Sequence, residues 1–131
     1  MQSLKITLWF IGVFAVIQVP LTLMVGLRRA TAGIGFLDGG DKTLLRRMRA
    51  HGNYIENVPM IVLVLAAAEL CGAPAWALWT AGGVMLGGRL LHVAVMFKGG
   101  GAVPRGSAML LTLLPMLALG VTVLVRLAGA A

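Results

Sequence analysis

Apolar and polar positions do not alternate finely along this chain; they come in long blocks. Leu4 to Leu27 carries no charge after Lys5 near its start and is apolar apart from Gln18 and two threonines. A run from Met60 to Leu70 follows a polar stretch, and Ala75 to Phe97 is apolar up to Arg89 and His92. A fourth block ends at Leu127. About 20 mostly apolar residues suffice to cross a bilayer as a helix. The pattern therefore predicts an all-α membrane protein, a four-transmembrane-helix bundle, with spans of about 4–27, 42–72, 75–97 and 105–127 in a single domain over residues 1–131. Pro20 and Pro115 fall inside the first and fourth spans, where each removes one backbone hydrogen bond.

The segments between blocks carry turn chemistry. Gly33, Gly35, Gly39 and Gly40, with Asp38 and Asp41, mark an irregular first loop. Asp41 is a candidate N-cap for a helix starting near Lys42. Gly72-Ala73-Pro74 is a tight turn, and Lys98 to Pro104 is a Gly-rich loop. In the third span Gly83 and Gly87, with Gly82 and Gly88 beside them, form a small-residue face that lets another helix approach closely.

Composition agrees: 60% of residues are hydrophobic and 11% charged, with mean hydropathy +0.97. Soluble domains carry about 25% charged residues. The net charge of +7 sits in loops and shows no basic stretch interleaved with aromatics. It therefore reads as topology and anion binding, with no nucleic-acid partner. The lone Cys71 makes neither a disulfide framework nor a metal set. The first loop and the start of the second helix, Arg28 to Arg49, hold six Lys/Arg, and Lys98 to Arg105 holds two. The turn at Gly72 holds none. The positive-inside rule places loops one and three in the cytoplasm and both termini on the opposite side.

One polar stretch stands out. Arg49, Asn53 and Glu56 fall within about 60° of one helix face, and His51 lies about 200° round. A charge at membrane depth costs about 3 kcal/mol unless paired or solvated. The structural alternative is an Arg–Glu pair that only ties helices together; the functional one is a polar ligand site near the membrane surface. Arg89 and His92, at i and i+3 of the third span, add two ionisable groups on one face.

These residues carry a resemblance. Arg49-Ala50-His51-x-Asn53-x-x-Glu56-x-x-Pro59 resembles the second-helix signature of the MAPEG family, the membrane-associated proteins in eicosanoid and glutathione metabolism. Gly88-Arg89-x-x-His92, with Arg105 sixteen residues after Arg89, resembles the microsomal prostaglandin E synthase branch, and Arg28-Arg29 also fits. The resemblance implies a homotrimer of four-helix bundles with glutathione sites between protomers near the cytoplasmic face. It implies that Arg49, Asn53 and Glu56 bind glutathione, with His51 and Arg28 or Arg29 contributing. Arg89 and His92 would line the site, and Arg105 would face the thiol as the catalytic group. It further implies a lipophilic electrophile or lipid peroxide as the second substrate.

The chain departs from that pattern at Met96, four residues after His92, where active eicosanoid-pathway members carry Tyr, and at Asn57, where many members have Tyr. The expectation is thus a glutathione-dependent membrane transferase or peroxidase, with a non-catalytic lipid-binding protein of the same fold as the alternative. A four-helix drug/proton exporter is disfavoured because Leu4 to Leu27 contains no acid.

Overall fold

The computed structural model describes residues 4–129. Four helices follow one another: α1 Lys5–Ala32, α2 Lys42–Leu70, α3 Ala75–Lys98 and α4 Ala102–Ala128. Each is long and apolar enough to cross a membrane. At 1.5 Å per residue they measure roughly 36–44 Å against a hydrocarbon core of about 30 Å. Their ends must project past the acyl region, which is where most of the Lys and Arg residues sit.

Two helix ends differ from the sequence expectation by three residues or more. α1 continues past Leu27 to Ala32, so Arg28 and Arg29 lie within the helix. It stops at Gly33, whose φ of 66° is the left-handed conformation that closes helices, with its amide donating to the Arg29 carbonyl. α4 opens at Ala102, before Pro104. A first-turn amide has no helical partner in any case, so proline is tolerated there. The helices run unbroken through Pro20, Pro59 and Pro115. α2 begins at Lys42, and the Asp41 carboxylate accepts from the Leu44 amide at 2.7 Å, as an N-cap should.

α3 packs along α4, α1 along α2, and α2 along α3; α2 also meets α4. Among the described residues α1 and α4 do not pack closely against each other. The core runs through Phe10 and Phe14 of α1, Tyr54, Ile61 and Leu65 of α2, Leu78 and Met85 of α3, and Leu119 of α4. The Tyr54 hydroxyl donates to the Phe14 carbonyl at 2.8 Å, the partner a buried phenol requires. Gly82 and Gly88 are the glycines that allow close approach within the bundle. A Cβ on Gly82 would strike the Phe10 ring, and one on Gly88 would meet Thr112 and the Ala108 carbonyl. A Cβ on Gly83 or Gly87 would meet nothing within 4 Å, so that face points outward.

Side chains brace the two ends of the bundle. At the end holding the α2–α3 turn, Glu69 accepts from the Ile6 and Thr7 amides at 3.0 and 2.8 Å and from the Thr7 hydroxyl at 2.7 Å. A carboxylate from α2 thus caps the first turn of α1, where free amides and the helix dipole favour an anion. At the same end Arg126 donates to the Cys71 and Gly72 carbonyls at 3.1 and 3.0 Å. At the other end Arg28 pairs with Asp41, and Arg47 donates to the Met24 carbonyl at 2.9 Å. Arg47 is therefore engaged with α1.

Two outcomes follow. Glu69→Gln removes the charge and leaves one acceptor oxygen for three donors, so thermal unfolding in detergent should show a loss of about 1–2 kcal/mol. The Arg28 guanidinium and then the Leu44 amide hold the Asp41 carboxyl below its ordinary value of 3.8. A carboxyl lowered on folding stabilises above its unfolded value, and the contribution disappears as pH falls through the folded value. The wild type should therefore melt above Asp41→Asn at about pH 6, and the gap should close on acidification below pH 3.8. A gap that is constant with pH would contradict this.

Candidate functional site

A cleft of about 730 Å³ opens at the end of the bundle that holds the first and third loops. Its long wall is one face of α2. Leu45, Met48, Arg49, Gly52, Asn53 and Glu56 recur at helical spacing and all line it. α3 supplies His92 and Met96, α4 supplies Arg105 from its first turn, and the first loop supplies Leu37 and Asp38. Volumes of roughly 300–1,000 Å³ are usual for small-molecule sites.

Five of the nine residues singled out from the sequence meet here: Arg49, Asn53, Glu56, His92 and Arg105. Two guanidiniums, an amide, an imidazole and a carboxylate face one space. Among the described residues the one ion pair is Arg28–Asp41, so Arg49, Glu56 and Arg105 carry charges that no opposite side chain neutralises. Arg105 donates from Nε to the Gly101 carbonyl at 3.2 Å, and among the described residues its terminal nitrogens have no hydrogen-bond partner.

The other four lie elsewhere, each for a physical reason. Arg89 is 1% exposed and does not line the cleft. Its Nε donates to the Thr112 hydroxyl at 2.8 Å, one terminal nitrogen donates to the Asn53 side-chain oxygen, and the other reaches the Ala108 carbonyl at 3.4 Å. Arg89 thus stands behind Asn53 and fixes which way that amide faces. His51 lies on the far side of α2, with its Nε2 3.0 Å from the Gln18 amide nitrogen and 3.1 Å from the Thr22 hydroxyl of α1. Arg28 is spent on Asp41. Arg29 donates to the Gly35 and Leu37 carbonyls at 3.2 and 2.9 Å. It holds the loop that carries Leu37 and Asp38 into the cleft, and Leu37 takes a positive φ of 53° there.

Several lining residues were not singled out from the sequence. Met48 and Gly52 share the Arg49–Asn53–Glu56 face and could have been found by extending that face by one turn. Met109 lies next to the site, with its sulfur 3.6 Å from the Asn53 amide nitrogen and 3.3 Å from Arg89. Asp38 is brought in by loop geometry and left no periodic signal.

The profile of the MAPEG family matches residues 7–125. Two curated relatives are similar over a shorter stretch. The inner membrane protein YecN of Escherichia coli strain K12 is 36% identical over 59 residues, 45% of this chain and 45% of the relative. Its counterpart in Escherichia coli O6:H1 strain CFT073 gives the same figures. The chain thus matches less than half the length of these relatives, whose names state a location and no activity. No solved structure matches. The extent of the family match, together with four membrane-length helices and a relative in an inner membrane, shows this chain to be an integral, multi-pass membrane protein that belongs to the MAPEG family.

Proposed function

We propose that the chain is a glutathione-dependent membrane transferase or peroxidase acting on lipophilic electrophiles or lipid peroxides. The observation that carries this reading is the convergence of Arg49, Asn53, Glu56, His92 and Arg105 on one cleft. Glutathione carries two carboxylates, one ammonium and a thiol. The guanidinium fork of Arg49 matches a carboxylate in a bidentate manner. Glu56 suits the ammonium, and Asn53, held by Arg89, offers its amide. A thiol of ordinary pKa near 8.5 is mostly protonated at neutral pH, and a neighbouring guanidinium favours the nucleophilic thiolate. Arg105, which lines the same cleft, is the candidate for this role. Lipid-facing grooves of Leu, Val and Met leave an apolar co-substrate free to arrive from the bilayer.

The assembly proposed is a homotrimer with the cleft completed by a neighbouring protomer. The outward Gly83–Gly87 face and the lack of close packing between α1 and α4 among the described residues support it, because both leave helix surfaces open to a second copy. His51, Arg28 and Arg29 would act in such a site by shaping its walls. The proposed orientation sets loops one and three in the cytoplasm. The motif likeness to the prostaglandin E synthase branch is a likeness of residues; neither relative bears that name.

A second reading, a lipid-binding protein without catalysis, is favoured by one observation. Met96 lines the cleft at the position where active eicosanoid-pathway members place Tyr.

Calorimetric titration with glutathione separates these readings. Arg49→Ala should weaken binding by about 2 kcal/mol through loss of a charge-assisted pair. Glu56→Gln should weaken it as well. No binding by the parent removes the glutathione reading, and parent-like binding by both variants makes the Arg49–Glu56 face of α2 structural.

Arg105→Ala should leave glutathione affinity within a few-fold, about 1 kcal/mol or less, yet raise the pKa of the bound thiol. The ultraviolet absorbance of the thiolate, followed against pH with saturating glutathione, measures this. An unmoved titration curve makes Arg105 a snorkelling anchor at a helix end instead.

A further inference from the structure

Beside the main cleft lies a second cavity of about 360 Å³, lined by Arg46, Arg49 and Arg105 over the bare backbone of Gly99 and Gly100. It is open to the main cleft through Arg49 and Arg105, which line both. Its character is different. The main cleft includes Glu56 and Asp38, whereas the charged residues lining this one are three guanidiniums.

Arg46 is the residue the glutathione reading does not use. Its guanidinium lies against the end of α3, so close that a Cβ on Gly99 would sit 2.7 Å from its carbon. Gly99 has φ 69°, which a glycine adopts without strain. Two carbonyls at that helix end already have partners: Met96 accepts from the Gly99 amide and Val95 from the Gly100 amide. Among the described residues Arg46 and Arg49 neither donate a hydrogen bond nor pair with a carboxylate, and the terminal nitrogens of Arg105 are free. α4 begins at the same corner, with no side-chain cap on its first turn. Three like charges with unused donors on one small cavity are accommodated by an anion that accepts several hydrogen bonds. A phosphate group does so, and arginine forks match its geometry.

We propose that the Arg46–Arg49–Arg105 cavity is a phosphate-binding subsite that adjoins the main cleft, shares Arg49 and Arg105 with it, and adds Arg46. Its occupant is either the headgroup of an anionic phospholipid or free phosphate. The cavity lies at the loop end, where projecting helix ends meet the headgroup layer, so both sources can reach it.

The test uses no glutathione, so failure of the glutathione reading leaves it intact. The full chain is placed in nanodiscs of equal phosphatidylglycerol and phosphatidylcholine, and retained lipid is read by native mass spectrometry. Wild type should retain phosphatidylglycerol about fivefold more than Arg46→Gln, the effect of one basic group near an anionic lipid. Lys42→Gln removes an exposed charge nearby that lines neither cavity, and should retain lipid as wild type does. In a second arm, phosphorus NMR line broadening of inorganic phosphate is followed with protein in a neutral detergent. Broadening that Arg46→Gln abolishes supports the subsite with free phosphate as its occupant. Selective lipid retention without broadening supports it with the headgroup as its occupant. Equal lipid loss in Lys42→Gln and Arg46→Gln, without broadening, means generic surface charge and overturns the proposal. So does wild-type behaviour of Arg46→Gln in both arms.

Discussion

A guanidinium buried in a membrane-length bundle has to find its partners inside the protein, and the arrangement at this end of the molecule follows from how Arg89 finds them. It reaches α2 through Asn53 and α4 through Thr112 and the Ala108 carbonyl, while its own backbone belongs to α3. No carboxylate pairs with it among the described residues. Oriented dipoles stabilise the charge instead, and they are useful only when all three helices are in register. Gly88, the residue before it, lets α3 approach Ala108 and Thr112 closely enough for those bonds to form. Arg89 is thus a clamp, and it sets the distance between the helices that wall the cleft.

The same clamp explains why the cleft residues can be charged and unpaired. Asn53 is pinned from behind, so its α2 neighbours Arg49 and Glu56 are presented on a rigid face. Arg29 does a similar service for the first loop by holding its carbonyls. The groups that hold and the groups that are displayed are different residues, although the sequence places them side by side.

This is also where the sequence stops being readable. Block hydropathy made the four helices plain, and the Asp41 cap followed from residue type alone. The 3.6-residue period placed Arg49, Asn53 and Glu56 together and His51 apart, and the structure does the same. Periodicity reports a face of one helix, however, and is silent on what lies opposite. Arg89 and His92 share a face of α3, yet Arg89 points its donors between helices and His92 lines the cleft. The glycines show the same limit. Four lie together in α3, and only packing shows that Gly82 and Gly88 turn inward while Gly83 and Gly87 turn outward. Asp38 and Glu69 were invisible because their partners are supplied by loop path and by a helix more than sixty positions away.

The carboxylate of Glu69 has a consequence for how the chain is assembled. The amides it serves, at Ile6 and Thr7, precede their acceptor in the chain by 63 and 62 residues. During synthesis the first turn of α1 therefore lacks this acceptor until the far end of α2 has been made. Because that acceptor sits at the last turn of α2, it arrives only when the second span has been fully threaded. The first two helices are thereby coupled as a hairpin, and the bond that closes them forms on the side opposite the cleft. The bond that closes the hairpin and the cleft thus lie at opposite ends of the bundle.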